Sequence, residues 1–291
     1  MRLGLVLSGG TAKGAFQLGA LKALQKVFPP ESFTCISASS IGIMNAYSFA
    51  TNQMEEAEYI WTHLPFTKLS GFVKYIRRDS YFEEVFAPLK MQKPVCPCFY
   101  SLYFQLAGRT THYVNLAEKD PGEYMDYLKA GVAIPPFCRP VIVHGEKCID
   151  GALIDNIPVT PIEHLNCDYI IAIYFDKENY SFISPEFNQK VLRLNMQDHG
   201  FVWETFAFDQ AQIRSMMDEG QKACEEKLKI WEPIIRSEKP VSDAALNPNE
   251  TQSKTWYTAD MLLNRINQAA RKLTRYQMDR GGNSLEHDRL P

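Results

Sequence analysis

The sequence predicts an α/β protein of three layers, α/β/α, with helices on both faces of a mostly parallel central sheet. Three observations predict it. The chain opens with an apolar run, Leu3–Leu7, that ends in a glycine-rich turn and passes into a helical pattern. A second apolar run, Phe33 to Ile36, again gives way to a helical pattern after a sharp turn, and Tyr169 to Phe175 is continuously apolar, as a strand covered on both faces must be. With 291 residues, 45% of them hydrophobic, the chain is long enough to bury a large core. A formal charge of -3 supplies no basic field, which excludes nucleic acid as a principal partner.

The seven cysteines, an odd number set mostly among apolar residues, read as reduced core thiols. Cys96 and Cys98 form one close pair with no second pair and no clustered histidines, so neither a metal nor another cofactor is expected. The opening apolar run is too short for a signal peptide, and no run of about 18 apolar residues is present to span a bilayer. A cytoplasmic protein is the expectation.

In chain order, Leu3–Leu7 reads as a strand, Ser8 to Gly14 as a tight loop, and Ala15 to Phe28 as a helix with Leu18, Leu21 and Leu24 on one face, stopped by Pro29 and Pro30. A loop of this kind aims several backbone N–H groups at one point, which suits a nucleotide phosphate, a dinucleotide pyrophosphate or an acyl-transfer oxyanion. The spelling weakens the first two. A P-loop ends in Gly-Lys-Ser/Thr, whereas Lys13-Gly14-Ala15 stands here, and a dinucleotide fingerprint needs a third glycine where Thr11 stands. Phe33 to Ile36 is the second strand and Ile41 to Ala50 the next helix, so Ser40 falls on the elbow between them, where a hydroxyl is presented above the sheet edge. If the two strands are parallel, loop and elbow open on the same edge and face one cleft.

Helical stretches follow over Met54 to His63 and Ser80 to Leu89, separated by Pro65 to Phe72 and rich in aromatics: Tyr59, Trp61, Phe66, Phe72, Tyr75, Tyr81, Phe82 and Phe86. They read either as a cap over an acyl-chain pocket, or a patch that touches membrane, or as core packing, because all three need apolar residues. Pro94 to Leu106 and Thr111 to Leu116 read as a structural hairpin turning at Ala107 to Thr110. Pro140 to His144 is a further strand, and Asp150 sits between Ile149 and the flexible Gly151-Ala152, where a carboxylate can be partly buried and aimed. Phe206, Ile213, Met217, Cys224 and Leu228 mark a long helix; Leu262, Ile266, Ala269 and Leu273 mark another after a polar linker, 237–253, and a tail ends the chain.

Three stretches in order, Gly9 to Gly14 (G-G-T-A-K-G), Ala38 to Gly42 (A-S-S-I-G) and Asp150 to Ala152 (D-G-A), resemble the motifs of the patatin-like phospholipases: G-G-G-x-[KR]-G, G-x-S-x-G and D-G-[GA]. Residues 130–135, 155–159 and 214–224 are similar to the stretches that flank those motifs. The resemblance covers about residues 1–230, which implies a catalytic domain there and, in 231–291, a polar linker, a helix and a tail packed on or near it. It also implies a serine lipid acyl hydrolase of phospholipase A or esterase type. Ser40 would be the nucleophile and Asp150 its base, with Gly9, Gly10 and Thr11 as oxyanion donors and Lys13 and Gly14 contacting substrate. Lipid or ester substrates and peripheral membrane contact follow. A Ser-His-Asp order would leave only His164 or His199 as a rival base. An acyltransferase using the same nucleophile, or a weakly active or non-catalytic lipid-binding relative, are the alternatives. Thr11 and Ala38 depart from the glycines of the pattern. If the third glycine is left-handed, a β-branched Thr11 either strains the loop or moves it.

Overall fold

Alternation along the first strand sets the layers. The computed structural model describes residues 1–78, 80–104, 111–135, 138–175, 185–196 and 208–237. Its elements run β1 (Leu3–Leu7), α1 (Gly14–Val27), β2 (Phe33–Ala38), α2 (Ile41–Ala50), α3 (Met54–Thr62), α4 (Leu69–Ile76), α5 (Tyr81–Phe86), β3 (Cys98–Phe104) and β4 (Thr111–Asn115). They continue with α6 (Tyr124–Gly131), β5 (Val141–Val143), β6 (Glu146–Asp150), α7 (Thr160–His164), β7 (Tyr169–Tyr174), α8 (Pro185–Asn188), β8 (Val191–Asn195) and α9 (Gln210–Ser237). Leu3, Leu5 and Leu7 of β1 join the core under α1, α2 and α9. Val6 points to the other face and packs in a second cluster with Ile162 of α7 and Ile170 of β7. Helices therefore cover both faces, as the unbroken apolar strands require.

Strands β3, β2, β1, β7 and β8 are mutually parallel. Strands β4 and β6 lie antiparallel to β3, and β5 antiparallel to β6. One feature of this sheet positions the site. β4 occupies one edge of β3 from Phe99 to Tyr103, so β2 and β6 must share the other edge. They do so end to end: the pairing of β2 stops at Ala38 opposite Tyr100, and that of β6 stops at Asp150 opposite Leu102. Two strands running toward each other along one edge thus bring Ser40 and Asp150 together across a gap at Ser101.

The hairpin of β3 and β4 is as expected, although its turn lies outside the described residues, as do Phe206, the linker, the stripe from Leu262 to Leu273 and the tail. Six elements, α4, α6, β6, α7, α8 and β8, have no counterpart in the reading above. Leu69–Ile76 is a helix where a break was expected, because Phe72 and Ile76, four apart, turn to one cavity. α6 had no reading, although Tyr124, Tyr127 and Leu128 are buried at helical spacing. β8 was hidden by Arg193 in the middle of a buried strand. α9 runs on past residue 230 to Ser237. No helix among the described residues is long and apolar enough to cross a membrane.

α9 crosses α1 with the two backbones in contact. A Cβ added to Gly19 would lie 1.8 Å from the Met217 carbonyl oxygen, and one added to Gly220 would lie 2.0 Å from that of Phe16. In an exposed helix interior, Gly→Ala stabilises by about 1 kcal/mol. Here the sign reverses: Gly19→Ala and Gly220→Ala should each destabilise by about 2 kcal/mol or more, because the obstacle is backbone and has no rotamer to yield. Denaturant melts of the two variants check this.

Candidate active site

The elbow begins where β2 ends. The Ser39 N–H donates to the Leu7 carbonyl at 3.1 Å, and the Ser39 hydroxyl, fully buried, accepts from Ser101 Oγ at 2.7 Å. Ser39 is thereby directed into the sheet and Ser40 toward the cleft. Ser40 has φ 51°, a left-handed conformation that a non-glycine residue seldom adopts. It is held there because α2 closes at once: Gly42 N–H donates to the Ser39 carbonyl at 3.0 Å and Ile43 N–H to that of Ser40 at 2.9 Å. A Cβ on Gly42 would stand 2.7 Å from the Ser8 carbonyl oxygen, so this glycine is required by close approach. Ala38 is different. It is the last residue of β2, buried and paired with Leu7 and Tyr100, and the sheet accommodates its methyl group.

The glycine-rich loop lies directly on Ser40. A Cβ on Gly9 would be 2.6 Å from Ser40 Cβ. The Gly9 N–H is engaged by Asn156, donating to Oδ1 at 3.0 Å and to its carbonyl at 3.3 Å. The Asn156 amide donates back to the Gly9 carbonyl at 3.4 Å. Gly10 N–H has no partner among the described residues. Thr11 has φ 49°, so the loop keeps the left-handed conformation and the threonine carries the strain, with its hydroxyl donating to the Gly10 carbonyl at 2.8 Å. Lys13 is buried, and Gly14 packs on Trp61, where a Cβ would meet the ring at 2.6 Å. Neither lines the cleft.

A buried polar bracket holds both ends of this loop. The Gln17 amide donates to the Ser8 carbonyl at 2.7 Å, before the glycines, and the Asn45 amide donates to that of Gly14 at 2.8 Å, after them. Asn45 Nδ2 also donates to Gln17 Oε1 at 3.1 Å, while Asn45 Oδ1 accepts from the Trp61 indole at 3.0 Å.

Asp150 closes β6 at 1% exposure. Oδ1 accepts from the Ala152 N–H at 2.8 Å, and Oδ2 is buried without a hydrogen-bond partner. Burial pushes the carboxyl up from its ordinary 3.8 to about 7, against the Ser40 hydroxyl and the Ala152 N–H, which both favour the charged form. An acid with that value alternates readily between its two forms near neutrality. Ser40 and Thr11 stand where two cavities meet. One, of about 530 Å³, is lined by Gly9, Gly10, Asp150 and Asn156. The other, about 620 Å³ with its open mouth included and more enclosed than the first, is lined by Trp61, Phe66, Phe72, Tyr81, Phe82 and Phe86 among others. The aromatics of the expected cap therefore wall a cavity, with Tyr59 left exposed on the outside. His164 is exposed at the end of α7, away from both cavities, and His199 lies outside the described residues. Asn156, which the motifs left without a role, is the residue that clasps Gly9; its signal was a side chain with both donor and acceptor just beyond the Asp-Gly turn.

Among known proteins, the model of the patatin-like phospholipase family matches residues 5–162. An uncharacterised NTE-family protein of Mycobacterium bovis is 22% identical over 182 residues, 59% of this chain and 48% of its own. Lysophospholipase nte1 of Aspergillus terreus is 24% identical over 191 residues, 59% of this chain and 12% of its own. The mouse patatin-like phospholipase domain-containing protein 7 is 25% identical over 202 residues, again 59% of this chain, and 13% of its own. The chain thus spans half or less of the length of these relatives. The crystal structure of VipD from Legionella pneumophila aligns over 98% of this chain and 87% of its own, with a TM-score of 0.43 and 10% identity.

Two stability changes follow from this geometry. Thr11→Gly should stabilise by about 1 kcal/mol, since a left-handed residue loses its Cβ penalty, and the melting temperature reports it. Asp150 is protonated more readily folded than unfolded, so its contribution to stability is fully present below about pH 4 and is lost as pH rises to about 7. Asp150→Asn, which cannot ionise, should melt above the wild type at about pH 8, and the difference should vanish as pH falls toward about 4. Melting curves across that range decide it.

Proposed function

From a chain that belongs to the patatin-like phospholipase family, we propose a serine lipid acyl hydrolase that works through Ser40 and Asp150. The observation that carries this reading is the placement of Ser40, strained and aimed, beside a buried carboxyl and at the meeting point of the cavity lined by Asp150 and Asn156 and the aromatic cavity. In this mechanism Asp150 takes the Ser40 proton as Oγ attacks the ester carbonyl, and the acyl chain lies in the aromatic cavity. The oxyanion accepts from the N–H groups of Gly10 and Thr11, beside the start of α2. Gly9, its own N–H held by Asn156, serves by letting the loop lie against Ser40. Asp150 then gives the proton to the leaving alcohol, and water, deprotonated by the same carboxylate, releases the fatty acid from the acyl-enzyme.

Lys13, buried beside the start of α1, adds positive charge to the loop from behind. The catalytic unit takes in residues 1–230 and, with α9, the core residues Trp231 and Ile235 beyond them, with lipid or ester substrates reached at a membrane surface. The seven cysteines are buried and none is in a disulfide, which supports a reducing, cytoplasmic setting.

A serine-directed fluorophosphonate followed by peptide mass analysis is the direct test. Ser40 should carry the adduct. Ser40→Ala should reduce hydrolysis of a short activated ester to background, and Asp150→Asn should lower kcat by about 10²–10⁴-fold. Ser39→Ala should change kcat little. The wild-type rate should rise with pH through about 7, as the Asp150 carboxyl ionises. Labelling at Ser39, or none, would overturn the assignment, and product that follows an added alcohol acceptor would mark an acyltransferase.

A further inference from the structure

The segment that roofs the aromatic cavity carries a charge pattern for which the reaction has no use. From Leu64 to Arg78 the chain holds Lys68, Lys74, Arg77 and Arg78 and no acidic residue, although the whole chain has a formal charge of -3. All four cations are exposed. Arg78 is paired with Glu84 of α5 at 3.1 Å. Glu83, the other acidic residue of α5, is taken by Lys129. Lys68, Lys74 and Arg77 have no acidic partner among the described residues. Meanwhile Phe72 and Ile76 of the same short helix line the cavity. One face of α4 therefore roofs the apolar cavity, while Lys74 faces water with Lys68 and Arg77 just beyond the two helix ends.

We propose that α4, with Lys68, Lys74 and Arg77, is the face by which this protein docks on an anionic lipid surface, setting the aromatic cavity over the bilayer. The proposal rests on the lipid acyl hydrolase reading above and names the surface on which it operates. Charge complementarity argues for this occupant. Among the described residues these three cations of one segment have no counter-charge, and each Lys or Arg brought to an anionic bilayer contributes favourably within a Debye length of about 8 Å. Together they are worth about 100-fold in membrane affinity.

The test uses the full chain carrying Ser40→Ala, so that lipid is not consumed, and sedimentation with vesicles of phosphatidylcholine alone or mixed with phosphatidylserine. Binding should require phosphatidylserine and weaken as salt is raised. The combined Lys68→Gln, Lys74→Gln and Arg77→Gln changes should weaken it about 100-fold. In the protein with Ser40 intact, the same three changes should leave hydrolysis of a water-soluble ester unchanged. Equal binding to both vesicle types, or anionic binding that the three changes do not alter, would overturn the proposal. Absence of soluble-ester hydrolysis by the unaltered protein would instead refute the hydrolase reading, and that result is separate from the vesicle measurement.

Discussion

Everything at the reaction centre depends on β2 and β6 meeting end to end along one edge of β3. The junction has room only for small side chains. Ser101 lies at the gap, its hydroxyl donating to Ser39 at 2.7 Å, and a Cβ on Gly151 would strike its carbonyl oxygen at 2.4 Å. Because both strands are held in register by β3, the turns that leave them have little freedom, and Ser40 and Asp150 are brought together as a consequence of strand pairing. Two of the five described non-glycine residues with positive φ, Ser40 and Thr11, stand where the chain leaves this junction and the neighbouring β1.

The glycine-rich loop is held by side chains from three other elements. Gln17 and Asn45 secure its ends, Asn156 clasps Gly9, and Trp61 joins the same network through its indole N–H. Trp61 also lines the aromatic cavity. A single residue is therefore shared between the wall of the aromatic cavity and the polar bracket that holds the glycine-rich loop.

What was legible in the sequence was local. β1 and its loop, the elbow at Ser40, and Asp150 at a turn where partial burial was expected could be read because glycine, serine and aspartate at turns report backbone conformation directly. The left-handed threonine was also anticipated as one of two outcomes, since a β-branched residue at a glycine position leaves only strain or displacement. The end-to-end meeting of β2 and β6 was not legible: the partners of a strand are set by long-range pairing, and no local pattern records them. Nor could periodicity tell a cavity wall from a core, because Phe66, Phe72 and Phe86 satisfy either. β8 was missed for a simpler reason, as Arg193 interrupts an apolar run and its partner Asn188 lies on the preceding helix.

The backbone contact between Gly19 and Met217 and between Gly220 and Phe16 bears on how the chain must be made. Every residue assigned to the reaction lies before residue 160, yet the helix that seals α1 is about 200 residues further along than the helix it seals. On the ribosome, Ser40 and Asp150 would both emerge well before their scaffold can close. Until α9 arrives, α1 keeps an uncovered apolar flank, and a fragment cut to the motif-bearing stretch would have the chemistry spelled out without a folded body to hold it.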